Sequence, residues 1–294
     1  MKFERKAVSA LLRYMRERQR VHDAKERGDV PPWTDDPILN AYRFCNVYRE
    51  QDRVTQWIDE NIRRPFANDP DLWFILCLAR ALNNPETLRE LIDDIRTCWP
   101  RNGRWSEVMF RRVLDLRRAR GLRYANPAYM TMGVIKWMGE LWSNRVEARS
   151  DINAARTMAA MFAALRKHKG LGSFIACQIV ADMRFTRYLR HAPDKLTWTA
   201  VGPGSSKGLN YMLGTPGRRW RQAEFIEACT ELYRLVAPRW LASPLADANL
   251  PFELHEVENV LCEFSKYERT RLGEGRPKQQ YRMPHYEVAM TINL

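Results

Sequence analysis

The sequence predicts a mainly α-helical array with minor β additions, and three observations carry that expectation. Apolar residues recur at helical spacing along nearly the whole chain. Boundary signals mark several of those runs, with Gly28 at the end of one and Asp69-Pro70 and Asn84-Pro85 at the start of others. Only two stretches, Leu196 to Val201 and Tyr286 to Ile292, read as strands, and neither alternates long enough to build a sheet.

Taken in order, residues 4–27 read as a basic amphipathic helix with Val8, Leu11, Leu12 and Met15 on one stripe. That helix stops near Gly28, and Val30-Pro31-Pro32-Trp33 reads as a turn or linker. Further helices are expected at about 37–61, 70–82, 84–97, 105–120, 126–142, 150–166, 173–190, 221–235 and 255–271. Asp69-Pro70 and Asn84-Pro85 each place a capping residue before a proline, which suits helix starts. The expected organisation is an N-terminal helix and linker over 1–34, a helical domain of two intimate lobes over 35–280, and a tail or short strand over 281–294.

The 294 residues are 45% hydrophobic and 28% charged, enough for a full-sized core. The net charge of +13 calls for a polyanionic partner, and nucleic acid is the commonest. No apolar run approaches the ~20 residues that span a bilayer, and the charged N-terminus is no signal peptide. No membrane role is expected. The six cysteines (Cys45, Cys77, Cys98, Cys177, Cys229, Cys262) are scattered, form no CxxC pair and have no histidines clustered near them in sequence. Linear spacing therefore predicts free buried thiols in a reducing cytoplasm and no zinc site.

The stretch Arg101 to Arg123 holds Arg104, Arg111, Arg112, Arg117, Arg118, Arg120 and Arg123 with few interleaved acids. It reads as a helix face that tracks phosphates, with a merely solvated helix face as the plainer alternative. The run Lys167-His168-Lys169-Gly170-Leu171-Gly172-Ser173-Phe174 follows one helix and opens another. Its glycines permit a tight turn at positive φ, and the next helix then presents free amides to a phosphate beside the lysines. Lys167, Lys169, Gly170, Gly172 and Ser173, with Arg111, Arg112 and Arg118, are the candidate DNA contacts.

This hairpin resembles that of the helix-hairpin-helix DNA glycosylases, so a glycosylase-like helical array is the expected fold. In that superfamily an aspartate follows the hairpin by about one helix, and Asp194 stands near that place. The bifunctional members carry a lysine just after the hairpin glycines. Phe174 occupies that position here, which argues against lyase chemistry.

Four further segments narrow the resemblance. They are Asn40 to Arg49 continuing to Asp52-Arg53-Val54, Gly172-Ser173-Phe174 continuing to Val180-Ala181-Asp182, Val201 to Leu209, and Val257-Glu258-Asn259 continuing through Leu261 to Tyr267. Together, in this order over residues 35–280, they are similar to the phage alpha-glutamyl/putrescinyl-thymine pyrophosphorylases, whose relatives include the helical domain attached to 5-hydroxymethyluracil DNA kinases. The resemblance implies transfer of an amine, from an amino acid such as glycine or from a polyamine, onto 5-(pyrophosphoryloxymethyl)uracil in duplex DNA, with release of pyrophosphate. It implies a phage-infected bacterial cytoplasm as the setting. No cofactor is required by this chemistry; a divalent metal on the pyrophosphate remains open, with no dedicated ligands visible in the sequence.

The residues themselves add candidates. Projected as one helix, residues 40–58 place Arg43, Asn46, Glu50, Arg53 and Trp57 on one face with Arg49 at its edge, a face suited to pyrophosphate. Local pairing of Glu50 with Arg53 and of Arg49 with Asp52 is the plainer alternative. Gly202-Pro203-Gly204-Ser205-Ser206-Lys207-Gly208 reads as a loop able to cradle a phosphate through its amides and Lys207, although it lacks the GxxxxGK[ST] spacing of a nucleotide-binding loop. Lys266 and Tyr267 of the last motif join the pyrophosphate-binding candidates. Asp182 and Glu268 fall where their helices call for apolar residues, so each is either a buried partner of an arginine or functional. With Asp194 they are the candidate catalytic carboxylates. The alternatives are a glycosylase that removes a modified base, and a non-catalytic DNA-binding subunit of a base-modification system.

Overall fold

The computed structural model describes residues 2–93, 105–129 and 133–281. Among these, the chain forms thirteen α-helices: α1 (Arg5–Glu26), α2 (Pro37–Ala41), α3 (Arg53–Ile58), α4 (Leu72–Leu82), α5 (Pro85–Asp93), α6 (Glu107–Ala119), α7 (Val134–Ser143), α8 (Arg145–Ala154), α9 (Met158–Arg166), α10 (Ser173–Met183), α11 (Pro203–Leu213), α12 (Gln222–Leu241) and α13 (Leu254–Arg271). The expected mainly helical class is what the structure shows. Arg104, Cys98 and the Tyr286 to Ile292 strand lie outside the described residues.

Two apolar cores organise the helices. One gathers α3 to α10 around α4, every residue of which is buried. The other is built from chain segments at both ends of the described structure: α1, the stretch around Phe44 to Tyr48, and α11 to α13. Chain ends thus embrace a central lobe, and α13 runs along the junction. There Arg184, just past α10, donates to Glu253 (2.7 Å) and Glu256 (2.8 Å) at the start of α13.

Three expected elements take another form. The predicted helix over 37–61 breaks after α2, is irregular over 42–48, passes a 3₁₀ turn at Arg49–Gln51, then resumes as α3 and a π turn at Asp59–Arg63. Side chains capture the backbone groups a continuous helix needs. Arg18 donates to the carbonyls of Phe44 and Cys45, Asp52 accepts from the Asn46 amide (2.8 Å), and the Asn46 side chain bonds the Gln51 carbonyl. In the Leu196 to Val201 segment, Leu196 and Thr197 belong to a turn, the Thr197 and Trp198 amides donate to the Asp194 carbonyl, and the rest has no strand partner. The Gln222 side chain takes the partner's place, accepting from the Val201 amide and donating to the Thr199 carbonyl. The glycine-rich 202–208 stretch is not a loop either: it is the first two turns of α11.

Candidate functional site

The helix-hairpin-helix connection forms as the sequence implies. Helix α9 ends at Arg166, Gly170 adopts φ +85°, Leu171 is buried, and α10 begins at Ser173. Gly170 also lies flat on the Trp137 ring, where any Cβ would collide with the indole. Gly172 differs. It has φ −60° and open space around it, so it serves as the residue preceding α10 rather than as a conformational necessity. Ser173 and Phe174 are exposed on the first turn of α10. Lys167 and Lys169 are exposed and reach Asp151 (2.7 Å) and Glu140 (3.5 Å), contacts weak enough for a phosphate to replace.

The arginine-rich helix α6 is less uniformly cationic than its sequence suggests. Arg111 pairs with Glu107, Arg118 pairs with Asp115 and stacks on Tyr124, and Arg112 is exposed. Arg117 is buried against Glu86, Glu90 and the Arg123 carbonyl. The acids missing from the local sequence arrive from α5.

Behind the hairpin, α11 packs against α13 at backbone contact. Gly208 rests on the Leu261 carbonyl and Gly204 on the Cys262 thiol, so a Cβ at either position would collide. These two glycines lie one turn apart on a helix face. They exist for close approach between helices, which corrects the phosphate-cradle reading, and Lys207 points to solvent from the same helix. Close packing brings buried Ser205 onto Glu258 of α13.

A polar cluster forms where α10, α13 and the irregular 42–51 segment meet. Arg49 is buried, donates to the Tyr129 hydroxyl (3.1 Å), and leaves its Nε without a partner. The Tyr129 hydroxyl donates onward to Gln178 of α10 (3.1 Å). Beside Gln178 in sequence, Cys177 faces α13, where His255 and Glu258 sit one turn apart; one potential ligand atom from each of the three lies within 4.8 Å of the others. Burial lifts the Glu258 carboxyl to about 7, opposed by the Ser205 hydroxyl and the Arg49 charge. Burial pushes His255 well below the usual imidazole range, helped by Arg184, Arg49 and Arg80, so the ring is neutral. Lys266 stays charged: burial disfavours the ammonium, but the adjacent Glu263 outweighs it. Toward the surface, the Tyr129 ring packs on Phe174, with centroids 5.0 Å apart, and Phe174 is 46% exposed.

The three carboxylates singled out from the sequence do not meet in this cluster. Asp182 is held by Arg80 in a two-pronged ion pair (2.5 and 2.6 Å), both side chains about 1% exposed. Burial would raise its pKa, yet Arg80, with Arg63 and Arg49 nearby, holds the carboxyl below its ordinary range. Asp194 accepts from the amides of Met158 (2.8 Å) and Ala159 (3.0 Å) and so closes the start of α9. Glu268 is buried as its helical position implies, and is matched by Arg271 of the next turn (2.7 Å). It lies about 15 Å along α13 from Glu258, ten residues away at the α-helical rise.

Of the pyrophosphate-binding candidates, the fold unites Arg49 and Lys266, whose charges both act on Glu258 and Cys262. The others separate because residues 42–48 are not helical. Arg43 is exposed over the Tyr281 ring, Arg53 is exposed, and Asn46 is buried in hydrogen bonds to Arg18 and the Gln51 carbonyl. Tyr267 donates to Asp36 (2.6 Å) within the second core. Linear spacing shows no dedicated ligand cluster; the fold nevertheless brings Cys177, His255 and Glu258 together as three groups that could hold a metal ion. Within that trio, the His255–Glu258 spacing on one helix was the legible half. Cys177 joins only because the fold brings this point of α10 close to α13.

The family described as 5-hmdU DNA kinase, helical domain, matches residues 5–276, nearly the whole chain, and the chain belongs to that family. A relative from Bacillus phage SP10, named 5-hmdU DNA kinase, is 24% identical over 275 residues. That alignment takes in 82% of this chain, and the chain spans 41% of the relative's length. No solved structure matches the chain.

Proposed function

We propose that this member of the 5-hmdU DNA kinase helical-domain family acts on thymine positions of phage DNA, transferring an amine onto 5-(pyrophosphoryloxymethyl)uracil. The observation that carries the reading is Arg49. It is a buried guanidinium with an unused Nε, it donates to Tyr129, whose half-buried ring packs on the exposed Phe174 of the hairpin, and its charge acts together with that of Lys266 on Glu258. A buried cation with unused donors suits a leaving pyrophosphate, whose charge grows as the bond breaks.

In this reading the lysines and the α10 amides of the hairpin grip the backbone, and the modified base turns out of the duplex toward Phe174 and Tyr129. The amine lone pair forms a C–N bond at the exocyclic methylene. The C–O bond to pyrophosphate breaks with its electron pair on oxygen, facing Arg49 and Lys266, and the new ammonium loses its proton to solvent. The family membership, the +13 charge and the hairpin support the DNA substrate. The amine is supported by the resemblance of the four sequence segments. The 294 residues contain no GxxxxGK[ST] run, so the kinase activity in the relative's name is not assigned to this chain.

The test incubates the full chain with duplex DNA carrying 5-(pyrophosphoryloxymethyl)uracil and glycine, glutamate or putrescine in turn, followed by nucleoside mass analysis. One amine yields an adduct with one pyrophosphate released per base, and Arg49→Gln lowers that rate by about 10²–10³-fold. Absence of an adduct with every amine overturns the proposal. Abasic sites in its place favour base removal.

A further inference from the structure

The cluster beside Arg49 contains two anomalies that hydrogen bonding within the protein does not resolve. His255 is 3% exposed, and its Nε2 is buried without a partner. Glu258 is 9% exposed and makes no ion pair among the described residues, unlike other buried carboxylates such as Asp182 and Glu256. A buried nitrogen left unpaired, like the His255 Nε2, is costly, and a fold retains it where something else completes it; Glu258 has the Ser205 hydroxyl as a partner but no ion pair to offset its buried charge. The third member, Cys177, is 7% exposed and turned toward the same point.

We infer that Cys177, His255 and Glu258 form a binding site for a zinc-like divalent cation with an open fourth position. The donor set is one thiolate, one imidazole and one carboxylate, the mixture that suits borderline-soft cations and disfavours Mg²⁺ and Ca²⁺. Ligand atoms within 4.8 Å of one another need only slight closure to reach a tetrahedral site, whose ligands stand about 3.5 Å apart for bonds of about 2.0–2.3 Å. Charge favours it as well. A dication with one thiolate, one carboxylate and a neutral imidazole is electrically neutral as a group, so its burial carries no net ionic penalty. The Ser205 hydroxyl holds Glu258 from behind, as outer-shell partners hold ligating carboxylates.

Three protein ligands leave room for a water or a phosphate oxygen, and Arg49 and Lys266 are placed to favour the latter. The inference concerns the trio itself. It stands whether or not amine transfer is the reaction, because its test reads metal occupancy and not product.

The experiment strips the full chain with a chelator, then titrates Co²⁺ followed by Zn²⁺. One Co²⁺ per chain is expected, with a thiolate charge-transfer band and the intense visible bands of four-coordinate cobalt, all abolished by one equivalent of Zn²⁺. Cys177→Ser removes the charge-transfer band. His255→Gln and Glu258→Gln each weaken binding by at least about 100-fold. Cys77→Ser and Cys229→Ser, both buried elsewhere, leave it unchanged. If Cys177→Ser does not fold by circular dichroism, the other two ligand variants decide. Failure to take up stoichiometric metal, a wild-type cobalt spectrum without thiolate character, or binding intact in His255→Gln and Glu258→Gln overturns the assignment.

Discussion

Two buried polar regions along α10 behave differently. On the side facing α4, Arg80 satisfies both oxygens of Asp182 and also reaches Asn83 and Thr55. On the side facing α13, Arg49 donates to Tyr129, the His255 Nε2 makes no hydrogen bond, and Glu258 makes no ion pair among the described residues, with Arg49 and Lys266 acting on it only from a distance. The same helix carries both: Asp182 belongs to the first region, Cys177 and Gln178 to the second. Saturated buried charge is what a fold needs to hold an awkward residue in place, and unsaturated buried polarity is what a site keeps for a ligand. Burial alone does not separate the two; the partner count does.

The largest expected effect breaks the comparison directly. Asp182→Ala leaves the Arg80 guanidinium buried and uncompensated, and should cost about 3–5 kcal/mol of stability by denaturant unfolding. Glu258→Gln, measured with chelator present, should stay within about 1 kcal/mol of the parent, since it removes a buried carboxylate that had no ion pair. Equal losses at the two positions would erase the distinction between the regions.

A second effect, of intermediate size, concerns how the unsaturated region is assembled. Gly208→Ala drives a methyl into the Leu261 carbonyl and should cost about 1–3 kcal/mol by pushing α11 off α13. Gly172→Ala meets no neighbour and keeps an ordinary φ, so its melting temperature should be nearly that of the parent. Should the Gly208 change prove as mild as the Gly172 change, the close approach of the two helices does not position Ser205 and Glu258.

The smallest effect is a pH dependence confined to the saturated region. Asp182 has a folded pKa below its ordinary value. Its contribution is therefore complete above the unfolded value of about 3.9 and lost as pH falls toward the folded one. Replacing the pair together, Arg80→Met with Asp182→Leu, should flatten that acid limb while leaving stability near neutrality little changed. An acid limb as steep in the double variant as in the parent assigns it to other carboxylates.

The family resemblance reached from the motifs agrees with the match over residues 5–276, although the amine-transfer branch of it is a proposal. The hairpin was legible because a Gly at positive φ between two apolar periodic runs has a local cause. The glycines at 204 and 208 were misread because small residues serve phosphate loops and close helix contacts alike, and only the identity of the neighbour, Leu261 and Cys262, tells them apart. Arg43 and Arg53 were grouped with Arg49 on the premise of a continuous helix. The side chains of Arg18 and Asp52, far from 43 or local to it, broke that helix by taking its backbone bonds.

By itself the sequence determined the helical class, the hairpin, the excess positive charge and the burial of Asp182 and Glu268, all consequences of periodicity and composition that act within a few residues. The tertiary structure alone decided which buried polar groups found partners. Arg80 with Asp182, Arg49 with Tyr129, and Cys177 with His255 and Glu258 are meetings between distant segments. No local spacing encodes them, because the interactions that fix a helix reach only four residues along the chain, whereas those that saturate or expose a charge depend on which helix packs against it.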